Sequence, residues 1–300
     1  MAEEIRFIKM EGAGNDYVYV DGFSQYVPGP QAFARRVSDR HFGVGSDGVI
    51  FMKPSKRADC FMDIYNADGS RGRTCGNGLR CVAMYMWEKS GRTKEEITIE
   101  TLSGICRARP GQLKGRKCWV SVTMGRAFCR DMIIPRHDIS KMLPGGVFVD
   151  WARLVDAGNL HCVVMLKCFE QDSLPEDVLQ SLDLKAIGSF LENYRGFPGS
   201  VNVELCMEDT CQLSMHALRA RVWERGSGET LACGSGACAI YRAAADQAKD
   251  SEREQCGKKG APFGQCCIFM PGGRLCVLEE DGELVLSGEA ARVFEGKMSW

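Results

Sequence analysis

Thr74-Cys75-Gly76-Asn77-Gly78-Leu79-Arg80-Cys81 runs directly into Val82-Ala83-Met84-Tyr85-Met86-Trp87-Glu88-Lys89. Ala232-Cys233-Gly234-Ser235-Gly236-Ala237-Cys238 runs in the same way into Ala239-Ile240-Tyr241-Arg242-Ala243-Ala244-Ala245. Each is a cysteine at the head of a glycine-rich turn that opens into a helix, and the two cysteines stand about half the chain apart. Leu79, Val82, Ala83, Met86 and Trp87 recur at helical spacing, with Gly91 as the C-terminal stop. Met84 and Tyr85 make that helix, Gly78–Lys89, apolar on most sides, which predicts burial with sheet wrapped around it. The helix over Gly236–Ala245 repeats the theme. A helix N-terminus exposes unpaired N–H groups and a positive dipole, so it holds an anion and lowers a thiol's pKa. Two such stations suggest two acid/base thiols facing each other across one carboxylate-bearing substrate. That equipment moves a proton from one face of a carbon to the other.

Around the two helices the chain reads as short strands. In the first half these are Ile5–Met10, Tyr17–Val20, Val49–Lys53, Cys60–Tyr65, Ile97–Thr101 and Cys118–Met124, with a helix over Gln31–Arg40. In the second half they are Val147–Asp150, Cys162–Leu166, Val201–Met207, Leu213–Trp223, Cys266–Met270, Leu275–Leu278 and Leu284–Leu286. Ser173-Leu174-Pro175-Glu176 reads as a capping box before a helix to about Leu182, and another helix spans Leu184–Tyr194. The expected fold is α+β. Two pseudo-symmetric domains each curl a mostly antiparallel sheet around a central helix. We divide the chain at 1–124 and 125–287, with the last strand, about 288–300, returning to the first domain.

Composition excludes several classes of function. The chain has 300 residues, room for two domains of about 150 each, and its net charge of −1 comes with no long basic run. Nucleic-acid binding and membrane-surface binding are poor readings on that ground. No apolar run approaches a membrane span and the N-terminus does not have the order of a signal peptide, so a cytoplasmic location is expected. Sixteen cysteines without a C-x-x-C pair then read as mostly buried small hydrophobes in a reducing compartment, Cys162, Cys168, Cys266 and Cys267 among them.

Three competing readings fail on the residues. Gly43-Val44-Gly45-Ser46-Asp47-Gly48 has dinucleotide-loop spacing, but a strand-like run, Val49-Ile50-Phe51-Met52, follows where a helix is needed. A cysteine hydrolase pairing Cys75 or Cys233 with His161 uses one thiol and leaves the repeat unexplained. A purely structural repeat explains the glycines but not a reactive side chain at the same place in both copies.

Asparagines gather near the motifs: Asn15 in Gly12-Ala13-Gly14-Asn15-Asp16, Asn66 in Asn66-Ala67-Asp68-Gly69-Ser70, Asn159 in Gly158-Asn159-Leu160-His161, and Asn202 in Ser200-Val201-Asn202-Val203. Asn202 falls inside an apolar strand, where an unpaired amide is costly, so it needs a partner. Glu224-Arg225-Gly226-Ser227-Gly228-Glu229-Thr230 stands just before the second motif. Together with Lys9–Asp16, Pro271-Gly272-Gly273 and Gly288-Glu289-Ala290, these segments give the chain a resemblance to the diaminopimelate epimerases over nearly its whole length. One departure is Leu160, where that family has proline.

The resemblance implies a homodimer with an active site in a cleft between two domains, and neither pyridoxal phosphate nor metal. It implies that Cys75 and Cys233 are the acid/base pair, Cys233 accepting and Cys75 donating from LL- to meso-diaminopimelate. His161 and Glu224 are implied to tune the thiols and hold the reacting ammonium. The N–H groups of Gly76, Asn77, Gly234 and Ser235 would clamp the reacting carboxylate. Arg225 would meet the distal carboxylate, with Asn66, Asn159 and Asn202 completing the polar shell and Asn15 also at the substrate. A cofactor-independent racemase of another amino acid is the alternative, but it gives no reason for the whole distal shell. A non-catalytic or isomerase member of the fold would have lost one of the two cysteines.

Overall fold

Cys75 has extended backbone (φ −148°, ψ 115°) and caps helix α2, Gly76–Lys89, its sulfur accepting the Gly78 N–H at 3.4 Å. Cysteine is an uncommon cap, but its sulfur here satisfies one of the donors that a helix start leaves without a partner. The helix buries Leu79, Cys81, Val82, Ala83 and Met84 almost completely. It ends where the Ser90 N–H reaches Met86 O and Gly91 turns to φ 72°. The computed structural model describes residues 4–169, 174–209, 216–256 and 263–300, and of residues 251–256 the backbone alone. It divides into two compact units, residues 1–123 with 287–300, and residues 124–286.

The first unit contains β1 (Glu4–Gly12), β2 (Asn15–Asp21), α1 (Pro30–Ser38), β3 (Gly48–Lys53), β4 (Cys60–Asn66), β5 (Arg71–Gly72), α2, β6 (Ile97–Thr101), β7 (Gly104–Lys114) and β8 (Lys117–Gly125). β1 and β2 form an antiparallel hairpin with Met10 opposite Tyr17. β2 runs parallel to β3, β3 antiparallel to β4, and β4 parallel to β6. β6, β7 and β8 continue antiparallel, with a bulge in β7 between Pro110 and Leu113, where proline cannot donate to the ladder. α2 packs against β1, β2, β4, β6 and β7, so it is the central helix of this sheet. α1 lies with a separate apolar cluster in which Phe33 and Val37 meet Val18, Val20, Val49 and Phe51. The strand after the Gly43–Gly48 turn is β3, so that turn opens no helix.

The second unit contains β9 (Phe128–Arg130), α3 (Arg136–Ser140), β10 (Val147–Asp156), β11 (Leu160–Cys168), α4 (Pro175–Ser181), α5 (Leu184–Glu192), β12 (Asn202–Glu208), β13 (His216–Glu224), β14 (Gly228–Thr230), α6 (Gly234–Cys256), β15 (Cys266–Met270) and β16 (Gly273–Glu280). β11 runs parallel to β12 with His161 opposite Asn202, and β13 parallel to β15; the other pairings are antiparallel. α6 packs against β9 to β12 and β16, while α4 and α5 lie against β12 and β13 over Leu179, Leu184, Ile187 and Leu205.

Several local expectations need correction. β17 is one strand, Glu283–Ser299, not two short runs, and its later residues pair with β1, Ile5 opposite Met298. α6 is longer than its apolar core suggested, and α3 was not foreseen because five residues carry no periodicity. Ser173 of the expected capping box and Leu213 to Met215 of an expected strand lie outside the described residues. α4 starts at Pro175 with Leu174 as its cap residue and no side-chain cap bond, whereas Asp183 caps α5 by accepting the Ala186 N–H at 2.9 Å. Cys267 and Cys276 are not buried thiols. They face each other across the β15–β16 pair with Cα atoms 4.1 Å apart and form a disulfide.

Candidate active site

In the first unit the site is built on the start of α2 and the β1–β2 turn. The sulfur of Cys75 is 3.2 Å from Asn15 Oδ1, and Asn15 Nδ2 donates to Asp47 Oδ2 at 2.7 Å. Arg40 bridges Asp47 Oδ1 (2.9 Å) and Asp16 Oδ1 (2.8 Å), and the buried Lys9 ammonium contacts Asp16 and the Gly45 carbonyl. Arg40 and Lys9 hold the Asp16 carboxyl below its usual range, although partial burial acts in the opposite direction. Beneath the helix start, Arg80 is wholly buried, with Nη2 donating to Asn77 Oδ1 at 2.9 Å and Nε to Glu289 O at 3.2 Å. Asn66 Nδ2 donates to Ser70 Oγ at 2.9 Å within its own turn.

In the second unit the sulfur of Cys233 accepts the Gly236 N–H at 3.3 Å and lies 3.4 Å from Ser235 Oγ. The Ala237 N–H bonds Cys233 O at 2.9 Å, so α6 opens as α2 does, where the Leu79 N–H bonds Cys75 O at 2.8 Å. His161 and Glu204 are fully buried, with Nδ1 2.6 Å from Glu204 Oε1; His161 Nε2 is 3.0 Å from Asn159 Oδ1. Glu224 Oε1 accepts from Thr230 Oγ1 at 2.6 Å. Asn202 has the partner its burial demands, since Oδ1 accepts the Arg225 N–H at 2.9 Å. The Arg225 side chain is exposed, with Nη1 3.3 Å from Ser200 O. Leu160 opens β11 opposite Asp156 and packs on the apolar cluster beneath α5, so the segment holding Asn159 and His161 is a paired strand start without proline.

One electrostatic expectation is overturned at Cys233. A helix N-terminus lowers a thiol's pKa, yet burial raises the Cys233 thiol well above its ordinary value, and Glu224 and Glu204 add to the rise. The Ser235 and Gly236 hydrogen bonds oppose this and do not win. Burial likewise raises Glu224, with Glu204 adding to the effect.

Two residues at the site were missed in the sequence. Glu204 lies two positions after Asn202 on β12, so the two share a strand face; a second polar residue at period two was the available signal. Asp47 was read only as part of a glycine turn, and nothing local marks it as a partner of Asn15. Among the described residues no three His, Cys, Asp or Glu side chains have a metal-holding arrangement.

Comparison with known proteins places the chain in a family. The family model described as diaminopimelate epimerase matches residues 7–129 and 153–260. A diaminopimelate epimerase of Desulfovibrio desulfuricans is 34% identical over 310 residues, covering 99% of both chains. One of Phocaeicola vulgatus is 38% identical over 304 residues with the same coverage. Among solved structures, a PhzF-family phenazine biosynthesis protein of Bacillus anthracis superposes with a TM-score of 0.69 at 16% identity, covering 99% of this chain and 100% of that one, which is a likeness of fold. With two cysteine-capped helices, one in each unit of that fold, and sequence relatedness along its whole length, the chain belongs to the diaminopimelate epimerase family.

Proposed function

We propose that the chain interconverts LL- and meso-2,6-diaminopimelate by two-base proton transfer at one α-carbon, a step in making lysine and peptidoglycan precursors. The observation that carries the reading is the matched chemistry of Cys75 and Cys233. Each sulfur takes the N–H of the third residue after it, Gly78 at 3.4 Å and Gly236 at 3.3 Å. Two-base inversion needs the two sulfurs on opposite faces of the same α-carbon. In the LL-to-meso direction the Cys233 thiolate takes the α-proton. The broken C–H bond leaves its electron pair on the carbon and the adjoining carboxylate. The Cys75 thiol then gives its proton to the opposite face, and the reverse reaction exchanges the two roles.

The carbanion is the costly species, and the N–H groups of Gly76, Asn77, Gly234 and Ser235 are read as the donors that hold the carboxylate as charge grows on it. Glu224 receives the substrate's α-ammonium. A cation beside Cys233 offsets the two carboxylates that disfavour its thiolate, so substrate binding itself prepares the base. Arg225, Asn66, Asn159 and Asn202 are assigned to the distal amino-acid group and Asn15 to the reacting end. Diaminopimelate binds without pyridoxal phosphate or metal, and the working form is a cytoplasmic homodimer.

The test is conversion of LL- to meso-diaminopimelate, followed by chiral separation, with no cofactor added. Cys75→Ala and Cys233→Ala should each lose about 10²- to 10⁴-fold, the usual worth of a positioned acid or base. Cys168→Ala, on β11, should retain turnover. Near-normal epimerisation in either lead variant would end the two-base reading.

A further inference from the structure

The geometry points to Asp47 as a positioning residue that sets the protonation state of Cys75 by orienting the Asn15 amide between them. This rests on the reading of Cys75 as an acid/base group. An amide side chain has an acceptor at one end and a donor at the other, and a carboxylate only accepts. Asp47 Oδ2 lies 2.7 Å from Asn15 Nδ2, so the NH₂ end must face Asp47 and the oxygen is left for the Cys75 sulfur, 3.2 Å away. A thiol donates to that oxygen. A thiolate cannot, because two acceptors would then face each other.

Asp47 is itself fixed from several sides. Its Oδ2 also takes the Asp16 N–H at 3.1 Å, and its Oδ1 pairs with Arg40 at 2.9 Å. Its backbone bonds Asp16 O at 2.8 Å and the Ala67 N–H at 3.0 Å. The Asn15 amide therefore has one orientation available, and it is the one that keeps a proton on Cys75.

Other groups that interact electrostatically with Cys75 show what this opposes. From α2 come Arg80 and Cys81, and from β2 comes Tyr19. Burial pushes Cys81 up to about 12 and raises Tyr19 well above its ordinary value, so both are neutral near pH 7. Arg80 remains a guanidinium there despite its burial. That cation and the Gly78 N–H both favour a thiolate, and the Asn15 oxygen favours the thiol. Asp47 thus acts on Cys75 through one intervening amide.

The experiment follows the alkylation of Cys75 by iodoacetamide against pH, mapped by peptide mass, in the full chain and in Asp47→Asn. Asparagine at 47 can offer either end, which frees the Asn15 amide to turn and donate N–H to the sulfur. The Cys75 midpoint should fall by up to about one pH unit, making alkylation at pH 7 about three- to tenfold faster, because the thiolate is the reacting species. Asn15→Leu removes the acceptor and should lower the midpoint too, and adding Asp47→Asn to it should change nothing further. A loosened fold would speed several cysteines, Cys106 and Cys129 included, without moving the Cys75 midpoint selectively. An unchanged or raised Cys75 midpoint in Asp47→Asn overturns the inference. Turnover of LL-diaminopimelate is read separately. If the midpoint falls but the unsubstituted enzyme shows no epimerisation, the proposed function fails and the positioning role of Asp47 stands.

Discussion

Oε1 of Glu204 lies 2.6 Å from Nδ1 of His161, and both side chains are completely shielded from solvent. The second oxygen, Oε2, is buried without a hydrogen-bond partner among the described residues. A buried carboxylate costs several kcal/mol unless it is paired, so the imidazole is what makes Glu204 tolerable in this unit. Glu204 in turn fixes which way the ring faces, leaving Nε2 for Asn159.

His161→Ala should therefore destabilise the fold by about 3–5 kcal/mol, because it leaves Glu204 with no partner. Glu204→Gln keeps the shape and one acceptor and should cost far less. Denaturant titration of both single variants and of the double variant gives the coupling. If the two losses simply add, the pair is not a unit.

Local sequence chemistry made the caps and both central helices legible: a sulfur followed three residues later by a glycine is a pattern contained in one turn. The residues that hold Asn15 and His161 in place were less legible, for a physical reason. Asp47 meets Asn15 because β2 and β3 run parallel with Tyr17 opposite Gly48, a pairing across some thirty residues. Glu204 reaches His161 because β11 and β12 pair in parallel register, offset by two residues from Asn202. The Cys267–Cys276 bond depends on the register of one hairpin. Composition pointed instead to reduced thiols. In each case the informative quantity was strand register, which hydrophobic alternation alone constrains only to within two residues.

The two cap-plus-three glycines should differ in tolerance although they occupy the same place. A Cβ on Gly78 would come within 2.7 Å of Ile50 Cδ1 and Met62 Cε, both ends of flexible side chains. A Cβ on Gly236 would meet Glu204 Oε1 at 2.7 Å and Cys233 Cβ at 3.2 Å. The first contact yields by small rotations, and alanine gains up to about 1 kcal/mol of helix preference in return. The second pushes on a buried carboxyl group held by its hydrogen bond to His161. Gly236→Ala should cost about 1–3 kcal/mol and Gly78→Ala less than 1 kcal/mol, read from denaturation midpoints. Equal losses would show that the Glu204 contact is not what demands glycine.

Glu224 gives a pH signature. Burial and the nearby Glu204 raise its pKa above the ordinary 4.5, so the folded chain holds that proton more tightly than the unfolded chain. Stability from this group is full below the unfolded pKa and is lost as pH rises through the folded one. Glu224→Gln stays neutral throughout and keeps an oxygen for Thr230. Its melting temperature relative to the unsubstituted protein should be nearly flat below pH 4.5 and climb as pH increases beyond it. The same substitution removes the larger of the two carboxylate effects on Cys233, so Cys233 should alkylate faster at pH 8. A melting difference that shrinks with rising pH would contradict the assigned direction.

Arg225 decides between substrates. It is exposed, its guanidinium meets the Ser200 carbonyl at 3.3 Å, and its own N–H is tied to Asn202. The planar fork is thus available to a carboxylate, while the backbone beneath it is fixed. A charge-assisted pair in such a place is worth about 1.5–3 kcal/mol. Arg225→Ala should lose roughly 10- to 150-fold in kcat/KM for LL-diaminopimelate, at one decade per 1.4 kcal/mol. Arg225→Lys should recover little of it, because a point charge does not reproduce two parallel N–H donors. Alanine and proline have no distal carboxylate, so their slow α-proton exchange should be the same in all three proteins. Exchange rates in D₂O across these substrates and variants make the comparison. Proline exchanging faster than diaminopimelate would keep the two-thiol chemistry and reassign the substrate. An Arg225 variant that slows both equally would place this arginine in the fold rather than in recognition.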